Sequence, residues 1–194
     1  NATAVCGGAF YMVHGSASFT MTNGTISGNS AKYGGGIYAN GNSIKLSGGS
    51  ITGNTASQWG GAALIAPGSD LDISGSITIK DNTSGTSAIA DNLYLDGYVH
   101  EGLHFPNVTV SSKLTGDLGI STWLKPNSQD VPDDSLLIAS GKDYTITNED
   151  VNKLSSDHTG YVLELTDSKA VVMKAGYTVT FNANGHGTAP AAQK

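Results

Sequence analysis

Gly35-Gly36-Ile37-Tyr38, then Ile44-Lys45-Leu46, then Ser50-Ile51-Thr52-Gly53-Asn54 is the stretch that decides the fold, because the chain repeats it on both sides. Upstream stand Gly7-Gly8-Ala9-Phe10, Phe19-Thr20-Met21 and Thr25-Ile26-Ser27-Gly28-Asn29. Downstream stand Gly60-Gly61-Ala62-Ala63, Leu71-Asp72-Ile73 and Ser76-Ile77-Thr78, closing at Asn82 after a two-residue insertion. Ile26, Ile51 and Ile77 are 25 and 26 residues apart, about one turn of a solenoid with three short strands per coil. A degenerate fourth copy follows at Asn92-Leu93-Tyr94-Leu95 and Val108-Thr109-Val110.

Inside each copy apolar and polar residues alternate, as in Phe19-x-Met21, Ile44-x-Leu46 and Leu71-x-Ile73, so one strand face points inward and the other meets water. Stacked coils then set like on like, about 4.8 Å apart. Expected interior columns are Phe19, Ile44, Leu71 and Met21, Leu46, Ile73, Val110. Outside, Lys45 should lie one rung from Asp72, and Asn29, Asn54 and Asn82 should share a corner where an amide ladder suits the turn.

Composition agrees with a turn-dense β-protein. The 194 residues hold 26 glycines and only 13% charged residues, so neutral hydrogen-bonding side chains cover the surface. A net charge of −6, with ten Lys and Arg nowhere clustered, argues against nucleic acid and anionic lipid as partners. No apolar run reaches the roughly 20 residues of a membrane span. Cys6 is the only cysteine, which excludes an internal disulfide, and beside Gly7-Gly8 it reads as a small apolar residue of a coil interior. The repeat begins so close to Asn1 that the chain reads as a segment of a longer protein.

The Gly-Gly-Ala/Ile and x-Ile-x-Gly-Asn pattern resembles the repeats of bacterial right-handed parallel β-helix surface proteins, among them the chlamydial polymorphic outer-membrane proteins and gut-bacterial adhesin-like proteins, over about the first 115 residues. The resemblance implies a right-handed parallel β-helix of about four coils on a bacterial cell surface. That solenoid also carries pectate-lyase-like enzymes, glycosidases and passive stalks, so it implies no single activity.

Residues 1–117 read as the coils and 118–175 as a C-terminal cap. Within the cap, Leu118-Gly119-Ile120 and Leu136-Leu137-Ile138 read as strands. Tyr144-Thr145-Ile146-Thr147 followed by Asn148 to Leu154 reads as a strand and a short helix with Thr147 or Asn148 as N-cap. Tyr161 to Leu165 and Lys169 to Met173 read as a hairpin around Thr166-Asp167-Ser168. Residues 176–194 contain Tyr177-Thr178-Val179-Thr180-Phe181-Asn182-Ala183-Asn184-Gly185, which resembles the opening of the internalin-type B, or Listeria-Bacteroides, repeat, so this segment reads as the truncated start of such a repeat. That resemblance implies a multi-domain protein displayed or secreted by a bacterium.

Three groups of residues invite a functional reading. His100-Glu101-Gly102-Leu103-His104 fits the zinc-protease pattern, which needs both imidazoles one turn apart on a helix. Gly102 and Pro106 oppose a helix, so a surface loop is expected and His100 and His104 are weak metal candidates. Asp70, Asp72 and Asp91, with Asp96 nearby, are the carboxylates a β-helix glycosidase or lyase would mount on one outer face, although ordinary solvated aspartates explain them too. Phe10, Tyr38 and Tyr94 are expected at equivalent outward positions after the glycine pair, interrupted at Ala63, where flat rings suit stacking on sugar faces. Trp59 and Trp123 read as packing residues of a corner and of the cap. The balance of these readings is a non-catalytic extracellular module without a cofactor, spacing or presenting a surface for a host glycan or surface protein. The competing reading is the C-terminal part of a carbohydrate-active enzyme.

Overall fold

The computed structural model describes residues 4–13, 15, 17–99, 103–122, 136–141, 143–167 and 170–176. The chain is all-β and winds into a parallel β-solenoid of about four turns. Each of the first turns has four strands, not three, arranged in four parallel stacks. The first stack holds Ala4–Cys6, Ser30–Tyr33, Thr55–Trp59 and Thr83–Ser84; the second holds Phe10–Val13, Ile37–Asn40, Ala63–Ile65 and Leu93–Leu95. The third holds Ser18–Met21, Ser43–Leu46, Asp70–Gly75 and Asn107–Leu114, and the fourth Thr25–Ser27, Ser50–Thr52 and Thr78–Lys80. The first stack escapes a hydropathy reading because its inward residues are small: Ala4, Ala31, Ala56 and Ser84 face one another in register.

The expected interior columns form. Phe19, Ile44, Leu71 and Val108 align, as do Met21, Leu46, Ile73 and Val110. A third column is Ile26, Ile51, Ile79 and Leu118. This corrects the expected register, since Ile79 and not Ile77 stands on Ile51, giving spacings of 25 and 28 residues. The asparagine corner fixes it: in every copy the stacked isoleucine lies three residues before the asparagine, so the insertion falls before the strand. Ile77 is still wholly buried. Each such side chain contributes on the order of 1.5–3 kcal/mol by leaving water.

The corner itself is a continuous amide ladder. Asn29 donates its backbone N–H and its side-chain amide to Asn54 Oδ1, at 3.1 and 2.9 Å. Asn54 does the same to Asn82, and Asn82 to Asn92. Asn92 is only 10 residues after Asn82 because, after the first-stack strand Thr83–Ser84, the chain doubles back as Ile89–Ala90, paired antiparallel to it. The last acceptor is a carboxylate: Asp157 takes the Asn92 backbone N–H at 2.6 Å and its amide at 2.9 Å.

Parallel pairing continues past Gly116. Leu118–Thr122 lies on Thr78–Lys80 at its start and on Leu93–Leu95 at its end, Leu136–Ser140 pairs in parallel with Asn107–Leu114, and Leu154–Ser156 stacks on Leu118–Thr122. Antiparallel pairing joins Leu136–Ser140 to a hairpin of Tyr161–Leu165 and Val171–Ala175, whose second strand starts two residues later than the sequence suggests. The helix Asn148–Val151 is capped by Thr147. Asp150, wholly buried, accepts from Leu114 N, Tyr144 Oη and both the N–H and hydroxyl of Thr147, all at 2.8 Å. Burial alone would raise its carboxyl, but these four donors outweigh that and hold it below the ordinary range.

Candidate functional site

The turn between the first and second stacks shapes the outer surface. Gly7, Gly34 and Gly60 occupy it with φ of +60°, +61° and +72°, and a Cβ at Gly34 would lie 2.1 Å from the Ile37 carbonyl oxygen. Only glycine turns this tightly. The residues just before these glycines and those four after them are therefore thrown outward side by side. Before them stand Cys6, Tyr33 and Trp59, in register on the first stack. After them stand Tyr11, Tyr38, Leu64 and Tyr94, in register on the second.

This corrects the expected aromatic column. Tyr11, not Phe10, is the partner of Tyr38, and Leu64, not Ala63, interrupts. Phe10 belongs to the inward column with Ile37 and packs on Phe19 at 4.6 Å. The offset arises because the first glycine of each run is the equivalent position, so the extra Gly36 shifts an alignment made on the Gly35-Gly36 pair. Trp59 packs at the corner on Tyr33 and Tyr94 yet stays 42% exposed, and Cys6 is half-buried on the outer column, not in a coil interior.

The two columns merge into one aromatic strip. Tyr11 and Tyr38 rings lie 5.6 Å apart, Tyr33 and Trp59 5.5 Å, and Trp59 stacks on Tyr94 at 6.0 Å with planes 12° apart. Beneath them Leu64, Ala66 and Tyr94 form a separate small apolar cluster, against which Tyr33 and Tyr38 pack. Burial, then the Asp96 and Asp91 carboxylates, push the Tyr94 phenol far above its ordinary value, so it stays neutral. Tyr94, expected to face outward, is buried at 4% exposure under Trp59, and the surface rings of the strip are Tyr11, Tyr33, Tyr38 and Trp59.

At the cap end the strip opens into a cavity of about 280 Å³. Trp59, Tyr94 and Ile89 are among its apolar lining residues, and Gln58, Asp91, Ser121, Asp157 and His158 among its polar ones. Asp91 Oδ2 accepts the Gly60 N–H at 2.7 Å and Oδ1 accepts the Ser121 hydroxyl, so this buried carboxylate braces the glycine turn. His158 Nε2 lies 2.7 Å from the Thr122 carbonyl oxygen. Burial raises the Asp157 carboxyl, the two bonds from Asn92 oppose this, and the charge of Asp91 adds to it.

The three candidate carboxylates do not converge. Asp70 and Asp72 project from the outer face of the third stack, where Asp70 accepts from Asn107 at 2.9 Å and Asp72 pairs with Lys45 at 2.9 Å, in the expected register. They border a second cavity, of about 320 Å³, with Ser43 and Thr109. Two residues apart on one strand, they point the same way and do not face each other across a cleft. Asp91 sits at the first-to-second-stack corner, in the other cavity. Of the histidine pair, His100 lies outside the described residues, and His104 is on a strand paired with Tyr98, not on a helix. Among the described residues no cluster of three metal-ligating side chains forms, and no helix is long and apolar enough to cross a membrane. Trp123 and residues 177–194 lie outside the described residues.

Tyr11, Tyr33, Trp59, Asp157 and His158 were missed from sequence. An aromatic immediately before a glycine run, repeated at Tyr33 and Trp59, was the available signal for two of them. No protein-family model, no curated protein and no solved structure matches the chain.

Proposed function

We propose that this chain is a non-catalytic extracellular module of a bacterial adhesin-like surface protein, and that its aromatic strip binds carbohydrate. The observation that carries the reading is the set of Tyr11, Tyr38, Tyr33 and Trp59 on one outer edge over the buried Tyr94, with Tyr11 and Trp59 58% and 42% exposed. Exposed rings in a fixed row are costly to leave in water and well suited to the apolar C–H faces of sugars. The likeness of Tyr177 to Gly185 to a surface-protein repeat supports display outside the cell. The amide ladder and stacked core supply a rigid support, which limits the entropy lost on binding.

A glycan array probed with the purified chain tests this. Discrete oligosaccharide hits are expected, with at least tenfold weaker binding for Trp59→Ala and Tyr38→Ala. Unchanged binding in both variants, or no hits, overturns the proposal. The enzyme reading draws on Asp70 and Asp72 beside their own cavity. Release of reducing ends from any array hit, lost in Asp72→Asn, would favour it.

A further inference from the structure

We infer that the cavity at the cap end of the aromatic strip is a subsite for one uncharged pyranose residue and that it turns acidic sugars away; this rests on the carbohydrate-binding reading above. Its size suits a single ring: about 280 Å³ is at the small end of ligand pockets. Its lining mixes chemistries. Trp59, 42% exposed and stacked at 6.0 Å on the buried Tyr94, gives an apolar face on which a sugar's C–H groups can lie. Asp91, Asp157 and Ser121 belong to the same lining.

The carboxylates are the acceptors of that lining, while the Gln58 amide on the same lining can donate. Among the described residues each Asp91 and Asp157 oxygen takes one hydrogen bond, so each keeps a lone pair for a sugar hydroxyl. Ser121 gives its proton to Asp91 and is likewise left as an acceptor. Among the described lining residues there is no Lys or Arg, and His158 Nε2 is engaged with Thr122. A uronate or sialate carboxylate would meet two carboxylates, with only His158 beside them among the described residues. A neutral sugar's hydroxyls can donate to those carboxylates and accept from Gln58 without bringing a like charge to them.

The position adds direction. The cavity is bounded by the cap residues Asp157 and His158, while Tyr33, next to Trp59, and then Tyr38 and Tyr11, beyond the Leu64 rung, continue the strip away from it at about 4.8 Å per rung. A bound chain therefore places its end in the cavity and its next residues on the tyrosines.

The test is calorimetric titration of the whole chain with β1,4-linked tetrasaccharides of glucose, galactose and mannose, each beside its C6-oxidised uronate. At least one neutral member should bind, with its uronate at least tenfold weaker. Asp157→Asn keeps an acceptor for Asn92 but removes a charge, and should narrow that gap to about threefold or less; Asp91→Asn is the parallel variant should the first fail to fold. Trp59→Ala should weaken the neutral sugar at least tenfold. A uronate that binds as tightly as its neutral partner, or a gap unmoved by both asparagine variants, overturns the subsite while leaving carbohydrate binding standing. Absence of binding by every probe overturns both.

Discussion

Truncating Asn82 to alanine probes the amide ladder at its most buried rung. Asn82 is wholly buried; its Nδ2 donates to Ile51 O at 2.9 Å and Lys80 O at 2.8 Å as well as to Asn92, while its Oδ1 accepts both Asn54 donors at 3.0 Å. Asn54 Nδ2 keeps Ile26 O and Thr52 O as partners, so only the Asn54 backbone N–H is orphaned outright, and two carbonyls each lose a donor. An orphaned buried N–H costs about 2 kcal/mol and each deprived carbonyl about 1 kcal/mol, for a loss of about 4 kcal/mol. Asn29→Ala is the control. Its rung is the outermost, it is half-buried, and its removal strands nothing beyond it, so it should cost about 1 kcal/mol. Guanidinium unfolding should therefore show a midpoint shift for Asn82→Ala several times that of Asn29→Ala, with unchanged slope. Equal shifts for the two variants would refute the claim that the ladder is a cooperative, buried element and not a decoration of the turn.

Two aspartates should give pH dependences of opposite sign. Asp157 has its carboxyl raised by burial, so the folded state favours its protonated form: its contribution is present at low pH and fades as pH rises through its folded value above 3.8. Thermal melts should show the parent gaining on Asp157→Asn between neutral pH and about pH 4, and a constant difference would contradict this. Asp150 is lowered, so its contribution is full above the ordinary value of 3.8 and lost as pH falls through a lower one. Asp150→Asn should be most damaging near neutral pH, with the gap closing towards pH 2. Lys45→Ala removes an ion pair whose lysine side chain is 50% exposed, and should change stability by less than about 1 kcal/mol, less still in high salt.

Much of the solenoid was legible because its signals are local and periodic. Ile44-x-Leu46 and Leu71-x-Ile73 announce a strand by alternation, and the repeat then aligns them without any knowledge of distance. Ala31 and Ala56 gave no such signal, so a whole stack went unread. Glycine runs of unequal length misled the aromatic register by one residue, enough to exchange inward Phe10 for outward Tyr11. The site was harder still. Trp59 and Tyr94 become neighbours through adjacent rungs, and Asp157 and His158 reach the cavity from 65 residues beyond Asn92, a closure no spacing in the repeat foretells.

The most direct test of the central claim is the emission of Trp59 itself, read in a Trp123→Phe background so that one indole reports. Titration with the best-binding neutral tetrasaccharide should shift and shield that emission from iodide quenching, saturating at the calorimetric affinity. Full binding with an unperturbed, fully quenchable Trp59 would place the sugar elsewhere and contradict the aromatic strip as the binding face.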